Sequence, residues 1–172
     1  MTTAMFPDRT EAVEYYFTYI DQVPPGDICR TLAAQSAETL TLLRAIPEQR
    51  SLHRYAPEKW SIRQLVSHVN DAERMFGFRA FWFARAFDTP LPNFDQDVAA
   101  SVAAADARSW SSHVQEFQAI RGATLALFDN LPEQAWQRRG VASGNSFSVR
   151  ALAFITAGHV THHMRVLRER YL

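Results

Sequence analysis

Residues 60–83 read WSIRQLVSHVNDAERMFGFRAFWF, and this stretch decides the fold. Ser61 and Gln64 have the spacing of a capping box, in which each side chain bonds the backbone of the other where a helix begins. Apolar residues then recur every three or four positions, as on one face of an amphipathic helix: Leu65, Val69, Ala72, Phe76 and Phe83. The pattern predicts a long helix that ends near Asp88.

Proline and glycine residues separate the other predicted elements. Asp8 and Glu11 form a second capping-box pattern, which predicts a short helix through about Tyr19. The other predicted elements are a helix from Asp27 to about Ala45, a helix from about Ala107 to Phe128, a turn from Pro132 to Trp136, and a last helix capped by Ser146 or Ser148 that runs to the C-terminus. No segment keeps the alternation of a strand, so no strand is predicted. Four long helices predict an all-α protein, an up-down four-helix bundle with short extra helices, as a single domain over residues 1–172.

Composition excludes several classes of protein. The 172 residues carry 18 basic and 18 acidic side chains, and this zero net charge does not favour a nucleic acid or an anionic membrane as a partner. The most apolar stretch, Met75–Phe87, is too short to cross a bilayer and contains two arginines. Because Met1–Asp8 lacks the pattern of a signal peptide, we expect a cytoplasmic protein. Cys29 is the single cysteine, so an intramolecular disulfide and a cysteine zinc site are both excluded.

The placement of the histidines points to a possible metal site. His159 and His163 are four residues apart and therefore share one face of the last helix, whereas His162 lies to the side. His68 borders the apolar face of the earlier long helix. A pair of this kind, completed by a third imidazole from a facing helix, can hold one divalent ion and leave open positions, as in catalytic sites. Hydrogen-bonded core histidines, or a charge complement to the end of a helix, are the structural alternatives.

The remaining candidate groups favour no other chemistry. His53 and His113 are predicted to lie at the surface. Cys29 is predicted to be a small, partly buried side chain rather than a nucleophile. The sequence contains no zincin, di-iron, P-loop, dinucleotide-binding or serine-hydrolase motif.

The segment Lys59–Arg74 resembles the W-S-x-x-x-x-x-x-H-x-x-D-x-E signature of the DinB-like (DinB/YfiT-like) superfamily. Gly158–His163 is similar to its C-terminal H-x-x-H-H element. Similarity also extends to the loop Pro90–Asp95 and to the opening Tyr16–Asp27, and thus covers nearly the whole chain.

This resemblance implies a four-helix bundle, commonly a homodimer, that holds a divalent metal such as zinc or nickel through three histidines. Mapped onto this sequence, the metal ligands are His68, His159 and His163. Some members are thiol S-transferases or isomerases that use a low-molecular-weight bacterial thiol. We therefore expect a metal-dependent enzyme of the thiol S-transferase type, with a small electrophile as its substrate. A metal-dependent hydrolase and a non-catalytic metal-binding module of the stress response are the alternatives.

Two acidic residues also match the signature. Asp71 could orient a ligand imidazole or pair with an arginine such as Arg165, and an ion pair that holds two helices together is the alternative; Glu73 matches the signature without a predicted role. No catalytic role is predicted for either residue.

The long helix that contains His68 has more aromatic residues than one core-facing stripe needs: Phe76, Phe78, Phe81, Trp82, Phe83 and Phe87. Either several helices surround this helix in a tight bundle, or part of its surface lies between two subunits. The excess of aromatic residues favours the second arrangement, and a homodimer is predicted.

Overall fold

The computed structural model describes residues 5–172 and contains a bundle of helices with one small β-hairpin. The helices are α1 Phe17–Ile20, α2 Ile28–Arg44, α3 Ile62–Ala84, α4 Gln96–Val102, α5 Trp110–Asp129 and α6 Val149–Val166, and the strands are β1 Arg139–Ala142 and β2 Asn145–Ser148. Single turns of 3-10 helix and a closing π-helical turn connect or extend them: Arg9–Glu11, Glu14–Tyr16, Arg50–Leu52, Ala105–Ala107, Glu133–Ala135 and Leu167–Tyr171. The predicted four-helix bundle with short extra helices is confirmed.

The start of α3 follows the sequence pattern closely. The Ser61 hydroxyl accepts a hydrogen bond from the Gln64 backbone N–H, and the Gln64 side chain accepts one from the Ser61 N–H, each at 3.0 Å. The helix ends at Ala84 rather than near Asp88, because the chain turns at Ala86, where φ is 60°.

The four long helices pack so that α2 and α3 lie at opposite corners of the bundle. Helix α3 packs against α5 and α6, and α2 packs against the same two helices. A buried polar network crosses this arrangement: the guanidinium of Arg121 on α5 bonds Glu73 on α3 and Gln35 on α2. The Gln35 amide in turn donates to the Ala157 carbonyl on α6 at 2.8 Å. One network therefore connects all four helices.

The prediction of one continuous N-terminal helix is wrong, although the Asp8–Glu11 capping box is confirmed. Extended backbone at Ala12 and Val13 divides the segment into two 3-10 turns followed by the short helix α1. The Glu11 carboxylate accepts hydrogen bonds from the Ser148 hydroxyl at 2.7 Å and from the Arg150 Nε at 3.0 Å. These bonds fasten the N-terminal segment to the start of α6.

The absence of strands was also predicted wrongly. Strands β1 and β2 pair antiparallel around Ser143 and Gly144, which both have positive φ, 52° and 73°. Two such residues make the type I′ turn that suits the twist of a hairpin. At the end of β2, Ser148 rather than Ser146 caps α6, where it accepts from the Ala151 N–H at 2.9 Å.

Two histidines expected at the surface lie deeper than that. His113 is fully buried, and its Nε2–H donates to the Ala105 carbonyl at 2.9 Å. His53 is half-buried beside the ring of Tyr171. Of the segment Met1–Asp8, which lacks the pattern of a signal peptide, residues 1–4 lie outside the part of the chain that the structure describes. Within residues 5–172, every helix is too short or too polar to span a bilayer.

Candidate metal centre

Helices α3 and α6 bring the three predicted ligands to one point. The Nε2 atom of His159 lies 3.1 Å from Nε2 of His68 and 3.1 Å from Nε2 of His163. One ring nitrogen from each of the three residues lies within 4.8 Å of the other two. His162 is not part of this group, as its position on the helical wheel indicated.

The spacing of these nitrogen atoms fits a shared cation better than it fits hydrogen bonds. Two imidazole nitrogens bound to one zinc ion at ordinary angles are about 3.0–3.4 Å apart. The Nε2 atom of His159 has either one proton or one lone pair, so it cannot make a good hydrogen bond to both neighbours. One divalent ion would instead accept a lone pair from all three, so the residues present fit a metal.

Burial keeps these imidazoles neutral. It lowers the pKa of His68 to about 4 and the pKa of His163 to about 3. The pKa of His159 is also held well below its ordinary value, first by burial and then by the neighbouring histidines. Because only a neutral imidazole can donate a lone pair to a metal, the site is ready for one at neutral pH.

Two cavities reach the three histidines. A cavity of about 190 Å³ is lined by His68 and His159, and a second of about 250 Å³ is lined by His163 together with Trp60 and Lys59. Small molecules therefore have access to the place where a metal would bind.

The first cavity has a wall of tyrosines that the sequence analysis did not identify. Tyr15, Tyr16 and Tyr19, all from the N-terminal segment, line it beside the two histidines. The ring of Tyr19 meets the ring of His159 edge-on at 5.3 Å, and its hydroxyl lies 3.3 Å from that of Tyr15. The spacing Tyr15-Tyr16-x-x-Tyr19 was the signal in the sequence for a cluster of tyrosines. It could not predict that the cluster lies beside the histidines, because local spacing does not indicate which helix a segment packs against.

A glycine on α6 allows Tyr19 to come this close. A Cβ atom at Gly158 would lie 2.1 Å from the Tyr19 carbonyl oxygen, so a side chain at this position would displace α1. Helix α1 therefore lies directly on α6 one residue before His159.

The two acidic residues of the signature do not approach the histidines as hydrogen-bond partners. Among residues 5–172, Asp71 bonds only Arg74, at 3.3 Å, while Arg165 is exposed on α6. Glu73 forms a buried ion pair with Arg121 on α5, a role that the sequence did not predict. Neither carboxylate is placed to orient a ligand imidazole.

Cys29 is half-buried, and burial raises the pKa of its thiol to about 12. A thiol of this kind is protonated at neutral pH and is a poor nucleophile. The expectation of a small, partly buried side chain is confirmed.

Comparison with known proteins finds the same family over most of the chain. The family model of the DinB superfamily matches residues 31–167. No curated protein matches the sequence significantly.

Two solved structures share the fold. YfiT from Bacillus subtilis, described as a probable metal-dependent hydrolase with an unusual four-helix bundle topology, is 17% identical. The match covers 94% of this chain and 91% of YfiT, with a TM-score of 0.68. The mycothiol-dependent maleylpyruvate isomerase is 12% identical with a TM-score of 0.68, and the match covers 84% of this chain but only 61% of the isomerase. At these identities the two structures establish the bundle and leave the activity open, whereas the family match over residues 31–167 shows that the chain belongs to the DinB superfamily.

Proposed function

We propose that His68, His159 and His163 hold one divalent metal ion, zinc or nickel, in a metal-dependent enzyme of the thiol S-transferase type. The observation that carries this proposal is the convergence of three neutral imidazoles, with His68 and His159 on the wall of one cavity and His163 on the wall of a second. An ion held by three imidazoles keeps open positions, where it lowers the pKa of a thiol or of water.

In such a transfer, the thiol sulfur forms a bond to an electrophilic carbon, the leaving group departs with its electron pair, and the thiol proton passes to solvent. The chain contributes binding and orientation. Met75 and Phe76 give the tyrosine-lined cavity an apolar side, and the hydroxyls of Tyr15 and Tyr19 can donate hydrogen bonds to a polar atom of the substrate. The volume of about 190 Å³ restricts the electrophile to a small molecule.

A metal-dependent hydrolase is the second candidate, and the same small cavity with its hydroxyl donors supports it. The two reactions differ in whether turnover needs an added thiol. A metal-binding module without catalysis is less well supported, because two cavities give small molecules access to the histidines.

Metal content tests the ligand set first. Untagged wild-type protein, His159→Ala and His162→Ala are purified in parallel and analysed by mass spectrometry for metals. We expect near-stoichiometric metal in the wild type and in His162→Ala, because His162 lies outside the group of converging nitrogens, and no metal in His159→Ala. Wild-type protein that stays free of metal after reconstitution would overturn the proposal.

Thiol dependence then separates the two reactions. The metal-loaded protein is assayed with 1-chloro-2,4-dinitrobenzene in the presence of cysteine or cysteamine, and with a chromogenic ester without thiol. Conjugation above the spontaneous rate that disappears in His159→Ala supports the transferase. Thiol-independent ester cleavage with the same dependence on His159 supports the hydrolase.

We further propose that a second copy of the chain covers the surface between α3 and α5. Phe78 and Phe81 are 51% and 38% exposed, although both are large and apolar. A groove of about 420 Å³ between α3 and α5 is lined in part by the small residues Gly77, Ala119 and Ala123, and Gly77 directly precedes Phe78 on α3. Aromatic side chains next to a groove of small residues make one face self-complementary, as a two-fold interface requires.

A further inference from the structure

A larger cavity adjoins the tyrosine-lined one. It measures about 600 Å³ and lies between α3 and the short helix α4. Met75 and Phe94 line both cavities, so the two cavities are neighbours on either side of these side chains.

Charged groups of both signs line this larger cavity. Arg74 and Arg108 each donate to the Glu116 carboxylate, at 2.6 and 2.7 Å. The hydrogen bonds of Arg108 to side chains all use one terminal nitrogen, which leaves its Nε and its other terminal nitrogen without a partner among residues 5–172. This guanidinium can therefore receive an anionic group.

Asp71 supplies the opposite charge in the same cavity. Its carboxylate has one partner among the described residues, the exposed Arg74, at the long distance of 3.3 Å. Partial burial raises the pKa of Asp71, which indicates that its negative charge is incompletely compensated. A cationic group beside Asp71 would complete this compensation.

Position along α3 relates these charges to the histidines. Asp71 and Arg74 follow His68 by three and six residues, which places them about 4.5 and 9 Å farther along the helix axis. A ligand that passes Met75 and Phe94 can therefore have its reactive atom at the histidines and its other end in the larger cavity.

We propose that this cavity binds an amino-acid-like, zwitterionic end group, whose carboxylate is received by Arg108 and whose ammonium is received by Asp71. A polyanion is disfavoured by Asp71 and Glu116, and a polycation by the two arginines. The thiol at the other end of the ligand rests on the proposed function, whereas recognition of the zwitterionic end group is independent of it.

Three amides of cysteamine serve as probes, because they differ only in the end group. The γ-glutamyl amide is zwitterionic, the glutaryl amide lacks the amine, and the 4-aminobutanoyl amide lacks the carboxylate. Seven bonds separate the sulfur from the carbon that bears the amine, the carboxylate or both, a reach of about 8 Å when extended. Binding to the zinc-loaded protein is measured by titration calorimetry.

We expect the γ-glutamyl probe to bind roughly fivefold more tightly than either of the others. Arg108→Met should remove its advantage over the 4-aminobutanoyl probe, and Asp71→Asn its advantage over the glutaryl probe. Arg44→Met, which removes an exposed arginine that bonds Gln118 elsewhere on the bundle, should leave all three affinities unchanged. Equal affinities for the three probes in the wild type would overturn the end-group proposal.

A spectroscopic measurement separates this outcome from failure of the proposed function. In cobalt-loaded protein, binding of the probe sulfur to the ion produces a thiolate charge-transfer absorption. If this absorption is absent, the thiol proposal fails. The end group is then tested with two compounds that have no sulfur, the γ-glutamyl amide and the glutaryl amide of ethylamine. In NMR spectra, a shift of the Arg108 Nε–H resonance with the γ-glutamyl compound and not with the glutaryl compound supports recognition of the zwitterionic end group by this cavity. Equal shifts with both compounds overturn it.

Discussion

The guanidinium of Arg121 binds the carboxylate of Glu73 at two points, since Nε and one terminal nitrogen each donate to a different carboxylate oxygen at 2.8 Å. The two side chains are 0% and 2% exposed. Because the pair joins α5 to α3, it fixes the helix that carries His68 relative to the rest of the bundle.

Glu73→Gln should destabilise the fold strongly, because the Arg121 charge would remain buried without its counter-ion. Breaking a buried ion pair by removing one partner costs about 3–5 kcal/mol. The free energy of unfolding is measured by chemical denaturation, with Glu58→Gln as a control, since the only ion-pair partner of Glu58 within residues 5–172 is the exposed Lys59. A Glu73→Gln protein as stable as this control would contradict the role given to the pair.

Gly158→Ala should force α1 away from α6. The new methyl group would lie 2.1 Å from the Tyr19 carbonyl oxygen, and overpacking of this kind typically costs about 1–3 kcal/mol. Gly122→Ala on α5 is the matched control, because open space surrounds that position. Thermal or chemical denaturation should show a loss of stability in the first variant only, while metal content stays unchanged in both. Equal stability of the two variants would show that α1 does not depend on this close approach.

The stability of the metal-free protein should decrease as the pH falls from about 6.5 towards 4. Burial lowers the pKa of His68 from 6.5 to about 4 and the pKa of His163 to about 3, so in this range the unfolded chain binds more protons than the folded one. Denaturant midpoints between pH 7.5 and 5 measure the slope. A double variant, His68→Asn with His163→Asn, should reduce the slope, to which the buried His159 still contributes. An unchanged slope in that variant would assign the pH dependence to other groups.

Phe78→Glu should convert the proposed dimer into a monomer, because a charge would be buried at the self-complementary face between α3 and α5. Light scattering at micromolar concentration reports the mass, and the metal content should not change. The Leu52→Glu protein should remain a dimer, because Leu52 is an exposed apolar residue outside the face between α3 and α5. A monomeric mass for the wild type would overturn the dimer itself.

The sequence predicted those features that depend on spacing within one helix. The capping box at Ser61 and the shared face of His159 and His163 follow from helical geometry alone. Features that depend on partners distant in the chain could not be found in this way. Glu73 meets Arg121 across 48 positions, and nothing near His113 indicated that it would be buried.

The short hairpin was missed for a different reason. Its four-residue strands contain Gly140, Asn145 and Ser146, which favour strands weakly, so the alternation was too faint to detect. The adjacent Ser143 and Gly144 were the detectable signal, since two residues that accept positive φ suit a tight hairpin turn.

The tyrosines that line the cavity precede residue 31, where the match to the family begins, while all three converging histidines lie inside that match. The two features therefore lie in separate parts of the sequence. Substitutions among residues 15–19 alter the wall of the cavity and leave the histidines in place. The N-terminal segment is thus the natural target for engineering a new selectivity on an unchanged bundle.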